Sequence, residues 1–230
     1  MDTLLSNFKI SVNPDIYLKD PESSELGRKI INHSIALIDD LGFEQFTFKK
    51  LGVSIASNES SIYRYFENKH MLLLYLSSWY WTWVEYKIVI NTHSIDDASE
   101  KLQKAITIIS NEIKEDSNFS HINEIKLHRI IINENSKSFL TKKVDTENQK
   151  GYFEVYKRIV YRLKEMIISV NPKYNFTASL ASTIIESAFH QHFLKDHFPS
   201  LTASDTINKT PEFIIDLVFK TLNTTYICKN

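Results

Sequence analysis

Residues 47–69, TFKKLGVSIASNESSIYRYFENK, constrain this chain more than any other stretch. They hold two helix starts separated by a short polar break, which predicts two short helices joined by a tight turn. Thr47 is a good N-cap, and Phe48, Leu51 and Ile55 follow at i, i+3 and i+7, one apolar face of about two turns. The polar break at Ala56, Ser57 and Asn58 ends that helix. Asn58 caps the next, where Ile62 and Phe66 lie four apart on the buried side and leave Ser60, Ser61, Arg64 and Tyr65 to other faces. These side chains suit a nucleic-acid groove: hydroxyls bond donor or acceptor base edges, Arg bonds guanine bidentately, and Tyr reaches phosphate oxygens. Asn68 caps a further helix, with Lys69 in its first turn.

The flanks extend the helical reading. Residues 1–19 show no clear period and contain Pro14, which predicts a loosely packed arm. Asp20 and Pro21 form a strong helix start. Leu26, Ile30, Ile31, Ile35, Ile38 and Leu41 then make a helical stripe that Gly42 closes as a C-cap, giving the first helix of a three-helix domain. A fourth helix over 69–91 would be roughly 33 Å long, enough to connect two domains. Its most apolar run, 71–84, is shorter than the stretch of about 18 residues that suggests a membrane span, so it reads as a buried helix and no membrane partner is expected. Further helices are predicted over 96–116, 121–135, 138–170, 177–197 and 211–226. Only 4 Gly and 5 Pro in 230 residues disfavour a loop-rich β architecture, so the expected class is all-α.

The run GFEQFTFKKLGVSIASNESSIYRYFENKHMLL, residues 42–73, resembles the helix-turn-helix of the tetracycline-repressor (TetR) family without a gap. Tyr63, Tyr65, Phe66 and Lys69 carry the register. Two residues depart from the family's usual Gly-Val-Ser turn: Ala56 stands for the glycine and Ser57 for the buried valine. Ala at a position of positive φ costs stability. The resemblance covers residues 20 to 90 and implies an N-terminal arm (1–19), a DNA-binding domain (20–67) and a helical ligand-binding and dimerisation domain (68–230). It implies a transcription regulator, a repressor released from its operator when a small molecule shifts the spacing of two recognition helices. The expected DNA contacts are Thr47, Tyr63, Tyr65 and Lys69 on phosphates, Ser60, Ser61 and Arg64 on base edges with Arg64 equally a phosphate clamp, and Lys49.

The resemblance also places an effector cavity beside the fourth helix, where the aromatic Trp79, Trp83 and Tyr86, with Phe153 and Tyr156, suggest a largely apolar effector. Residues 211–226 carry apolar side chains around most of the helix, more than one packing face uses. A homodimer is therefore expected through Leu180, Ile184, Ala188, Ile214, Leu217 and Val218, and the family adds a four-helix interface.

A formal net charge of −1 gives no bulk attraction for a polyanion, so placement matters: Lys49, Lys50, Arg64 and Lys69 lie inside the motif. His121, Glu124 and His128, and also His190 and His197, fall at spacings that share helix faces, yet neither set is a metal signature and no metal is expected. The single cysteine, Cys228, excludes an internal disulfide, and with no signal peptide evident a cytoplasmic protein is expected. No motif of phosphate-binding loops, serine hydrolases or zinc proteases occurs, so no enzymatic activity and no cofactor are expected. The rival reading is a helical small-molecule-binding protein or enzyme that has lost DNA binding.

Overall fold

The computed structural model describes residues 10–114, 121–202 and 209–223, and all regular structure among them is helical. The helices are α1 (Glu25–Gln45), α2 (Phe48–Ser54), α3 (Glu59–Tyr63), α4 (Lys69–Thr92), α5 (Ala98–Ser110), α6 (Glu124–Phe139), α7 (Val144–Gln149), α8 (Glu154–Val170), α9 (Thr177–His197) and α10 (Thr210–Asn223). They pack as two compact units, Met1–Trp83 with Ile113–Val155, and Val84–Glu112 with Tyr156–Asn230. The compact units therefore do not part at 67/68, because α6 and α7 pack with the N-terminal helices.

In the first unit, Asp20 and Pro21 open only a single 3-10 turn, Pro21–Ser23, in which Asp20 Oδ1 accepts from the Glu22 amide. The helix proper restarts at Ser24, whose hydroxyl accepts from the Gly27 amide and caps α1. Ile30, Ile31, Ile35 and Ile38 form its buried stripe, while Leu41 is exposed. At Gly42 the backbone leaves helical geometry (φ 76°) and frees the Phe43 amide, which donates to the buried Glu134 carboxylate of α6 at 3.1 Å. That bond is one rung of a polar ladder between α1 and the α6 region. Asn32 donates to the His121 carbonyl, Arg129 grips Asp39 through two bonds of 2.8 and 2.7 Å, and Lys137 bridges Glu134 and Glu44.

Three expectations need correction. Residues 10–19 are not a loose arm: Asn13 caps a 3-10 turn at Pro14–Ile16, and Ile10, Val12 and Ile16 are buried. The helix predicted over 138–170 is two helices, because the chain turns after Phe139 and again at Gly151, whose φ of 78° no helical residue adopts. The helix predicted over 96–116 ends at Ser110, where Asn111 takes an extended backbone. Residues 115–116 and 224–226, Cys228 and residues 1–9 lie outside the described residues.

In the second unit α5, α9 and α10 pack together and bury Leu102, Ala105, Ile106, Leu180, Ala181, Ile184, Ala188, Ile214 and Val218. α8 adds Ile159, Leu163 and Ile167 to the buried residues.

Candidate nucleic-acid interface

Local chemistry builds the α2–turn–α3 pair. Thr47 is the α2 N-cap in an extended conformation, and its Oγ1 accepts from the Lys50 amide at 3.2 Å. The acceptor side of that hydroxyl is used, which leaves its proton to donate outward. Phe48 and Leu51 turn inward, so Lys49 and Lys50 are left exposed. Lys50 is drawn back to the Gln45 carbonyl at 2.8 Å.

The turn closes where the Ser57 amide donates to the Gly52 carbonyl at 2.9 Å. A Cβ on Gly52 would lie 2.8 Å from the Ser57 carbonyl oxygen, so this crossing requires glycine. Ala56 carries the turn at φ 51°, in the left-handed region that L side chains disfavour. Asn58 then caps α3, its Oδ1 accepting from the Ser61 amide at 2.9 Å and the Ser61 hydroxyl at 2.8 Å.

On α3 the buried residue is Ile62, and Phe66 is buried just beyond, its ring edge-on to Tyr75 of α4 at 5.4 Å. Ser60, Ser61, Tyr63 and Arg64 remain exposed or partly exposed. The Tyr63 ring is braced edge-on by Phe48 at 5.0 Å, and its hydroxyl reaches Glu59 at 3.3 Å. Thr47, Lys49, Ser60, Ser61, Tyr63 and Arg64 thus belong to one capped helix pair, with hydroxyls and cations outward and apolar side chains inward.

Two expected contacts are placed elsewhere. Tyr65 is 3% exposed, and its hydroxyl shares a 2.8 Å hydrogen bond with Ser24 Oγ at the start of α1. Its geometry is that of an internal strut. Lys69 sends its ammonium to the carbonyls of Phe43, Glu44 and Phe46, at 3.0, 3.2 and 3.4 Å, and lies over the Phe43 ring. Asn68 caps α4 as expected, accepting from the Met71 amide. Sequence reasoning passed over His33, whose Nδ1 lies 2.7 Å from Ser54 Oγ and ties α1 to the end of α2. A histidine on the polar side of the α1 stripe was its only signal.

The other sequence candidates fall out as follows. Trp79 and Trp83 are fully buried, Tyr86, Phe153 and Tyr156 are half-buried, and the Tyr156 hydroxyl is bonded to Glu186 at 2.7 Å. Leu180, Ile184, Ala188, Ile214 and Val218 are buried within the subunit, where α5, α9 and α10 pack together. Of the expected interface residues Leu217 is open, 39% exposed, and Phe213 on the same helix is 46% exposed. His121 pairs with Glu22, His128 with the Tyr80 hydroxyl, and His190 and His197 both lie against Phe193. Among the described residues no group of three or more His, Cys, Asp or Glu side chains is arranged to hold a metal, and no helix is long and apolar enough to cross a membrane.

No protein-family model and no curated protein matches this sequence. Solved structures do. The structure of AibR in complex with isovaleryl coenzyme A and operator DNA is similar with a TM-score of 0.58 at 16% identity, covering 86% of this chain and 100% of that one. The fatty acid degradation regulator FadR from Bacillus halodurans is similar with a TM-score of 0.55 at 15% identity, covering 86% and 98%. At these identities the likeness is one of fold, and the chain has the all-helical fold of these regulators.

Proposed function

We propose that this chain is a DNA-binding transcription regulator of the TetR type, a cytoplasmic repressor that a small-molecule effector releases from its operator. The observation that carries the reading is the capped α2–turn–α3 pair, with Thr47, Lys49, Ser60, Ser61, Tyr63 and Arg64 open and Ile62 buried beneath. Thr47, Lys49 and Tyr63 position the protein on phosphates, while Ser60, Ser61 and Arg64 read base edges. Because the Ser61 proton is given to Asn58, Ser61 reads as an acceptor and suits the amino groups of adenine or cytosine.

A few phosphate contacts per subunit give modest affinity, and a homodimer reading two half-sites compensates. The recognition helices of such a dimer must sit about 34–36 Å apart to enter successive major grooves, so an effector that prefers another separation lowers operator affinity. That AibR was solved with isovaleryl coenzyme A and operator DNA supports an effector of acyl character here, in keeping with the aromatic side chains of α4. The family assignment rests on the match at residues 42–73.

Fluorescence anisotropy with duplexes from the chain's own upstream DNA tests the proposal. Affinity should fall between 50 and 200 mM salt as about −0.9 in log–log slope per neutralised phosphate. Ser61→Ala and Arg64→Ala should each cost about 1–3 kcal/mol and relax preference at one position of each half-site. Salt-independent or absent binding across those duplexes would remove the DNA reading.

A further inference from the structure

Glu85, Arg158 and Arg162, all in the second unit, take no part in the proposed DNA contacts. Glu85 is 7% exposed, yet Arg158 donates through Nε to both of its oxygens, at 3.1 and 3.2 Å, and through Nη2 to Oε2 at 2.6 Å. Arg162 donates through Nε to Oε1 at 2.8 Å. Burial alone would raise the carboxyl's pKa, but the hydrogen bonds and charges of the two arginines outweigh it and hold the group below its usual range. Glu85 is therefore ionised and its acceptor positions are filled.

Two arginines four residues apart on one helix repel each other, and the buried carboxylate lets them stand side by side. The arrangement spends only Nε of Arg162. Its two amino groups have no partner among the described residues, nor has the ammonium of Lys101 on α5. Both side chains line a cleft of about 430 Å³ together with Arg158, Tyr161 and Met166. Tyr161 is exposed and Met166 is half-buried, so the cleft has an apolar wall beside its cations. The acid lining it is Glu165, which is exposed toward Lys164 at 3.9 Å.

We infer that this cleft binds a small organic anion, an aromatic or acyl phosphate or carboxylate, with its charged head on Arg162 and Lys101 and its body against Tyr161 and Met166. Fixed guanidinium donors match oxyanion geometry and lose little freedom on binding, because Glu85 has already set the pair in place. A cation would meet Arg158, Arg162 and Lys101 against Glu165 as the one open carboxylate of the lining, since that of Glu85 is turned to the arginines. A neutral ligand would leave Arg162 and Lys101 unpaired. The site stands whether or not the chain binds DNA.

The full chain, labelled at its methionine methyl groups, tests this in one spectrum, because its 3 methionines are Met1, Met71 and Met166. Met166→Leu assigns the reporter signal. Phenyl phosphate, inorganic phosphate and benzyl alcohol are the probes. Phenyl phosphate should shift the Met166 methyl saturably at millimolar concentration or below, and Lys101→Ala and Arg162→Ala should each weaken it by about fivefold or more. Lys101→Ala is the decisive variant, since that side chain is outside the Glu85 cluster and its loss leaves the fold's ion pairs intact. Inorganic phosphate should bind more weakly, and benzyl alcohol should leave the signal in place. A Met166 signal that does not move, a Lys101→Ala variant that binds as the parent does, or equal binding of either control probe overturns the assignment.

Discussion

The ammonium nitrogen of Lys69 lies 3.0 Å from the carbonyl oxygen of Phe43, across the junction between α4 and the end of α1. The carbonyls of Glu44 and Phe46 complete its shell at 3.2 and 3.4 Å. A cation favours the end of a helix, where carbonyls lack amide partners. Lys69 is a clamp in this structure, and its charge is spent within the protein. Lys69→Ala should lower stability by about 1.5–3 kcal/mol in urea denaturation and leave the salt slope of DNA binding unchanged. Lys49→Ala should do the reverse, leaving stability alone and reducing the slope by about one unit per subunit.

Ala56 holds φ 51° at the centre of the helix-turn-helix turn. A left-handed backbone strains an L side chain by about 1–2 kcal/mol, whereas glycine adopts it freely at some entropic cost in the unfolded chain. Ala56→Gly should therefore stabilise the protein by about 1 kcal/mol and raise Tm by roughly 2–4 °C, measured calorimetrically. A lower Tm would mean the turn relaxes more easily than its φ implies.

Phe213 and Leu217 lie four apart on α10 and stay exposed after Ile214 and Val218 have been buried in the subunit. If this strip is the centre of the homodimer contact, a charge there has no water to face in the assembled state. Phe213→Glu and Leu217→Glu should each shift sedimentation at micromolar concentration from dimer to monomer. The parent protein sedimenting as a monomer under those conditions would dispose of the dimer.

His192 is buried, and burial lowers its pKa below the usual value of 6.5, only partly offset by its bond to the Ser110 carbonyl. The folded state thus holds a neutral imidazole. As pH falls below about 6.5 the unfolded chain takes up a proton that the folded one resists, so stability is present above that pH and declines as pH drops toward the folded pKa. His192→Gln keeps a donor for Ser110 and should flatten this part of the pH–stability curve in urea titrations.

The parts legible in the sequence are those whose partners lie within a few residues. Thr47, Asn58 and Asn68 cap the helices they were expected to cap, and Ala56 takes the positive φ its place in the turn suggested. The internal partners of Tyr65 and Lys69, Ser24 and the carbonyls beyond Gly42, were not legible because they are far away along the chain, and periodicity does not pair distant residues. Burial within a subunit and burial between subunits select the same residue types, which is why hydrophobicity alone did not separate Ile184, Ala188 and Ile214, buried in the subunit, from the open Phe213 and Leu217. The break at Gly151 was hidden because apolar spacing continues on both sides of it.

The rungs between α1 and the α6 region, Asn32 to the His121 carbonyl, Asp39 to Arg129, the Phe43 amide to Glu134 and Glu44 to Lys137, make residues 20–67 a poor candidate for transplantation. A fragment ending at residue 67 would expose the flank of α1 that α6 covers and strand Asp39 without its guanidinium. It would also lose Lys69. A chimera that joins these residues to another helical body must either carry α6 along or rebuild its ladder on the host.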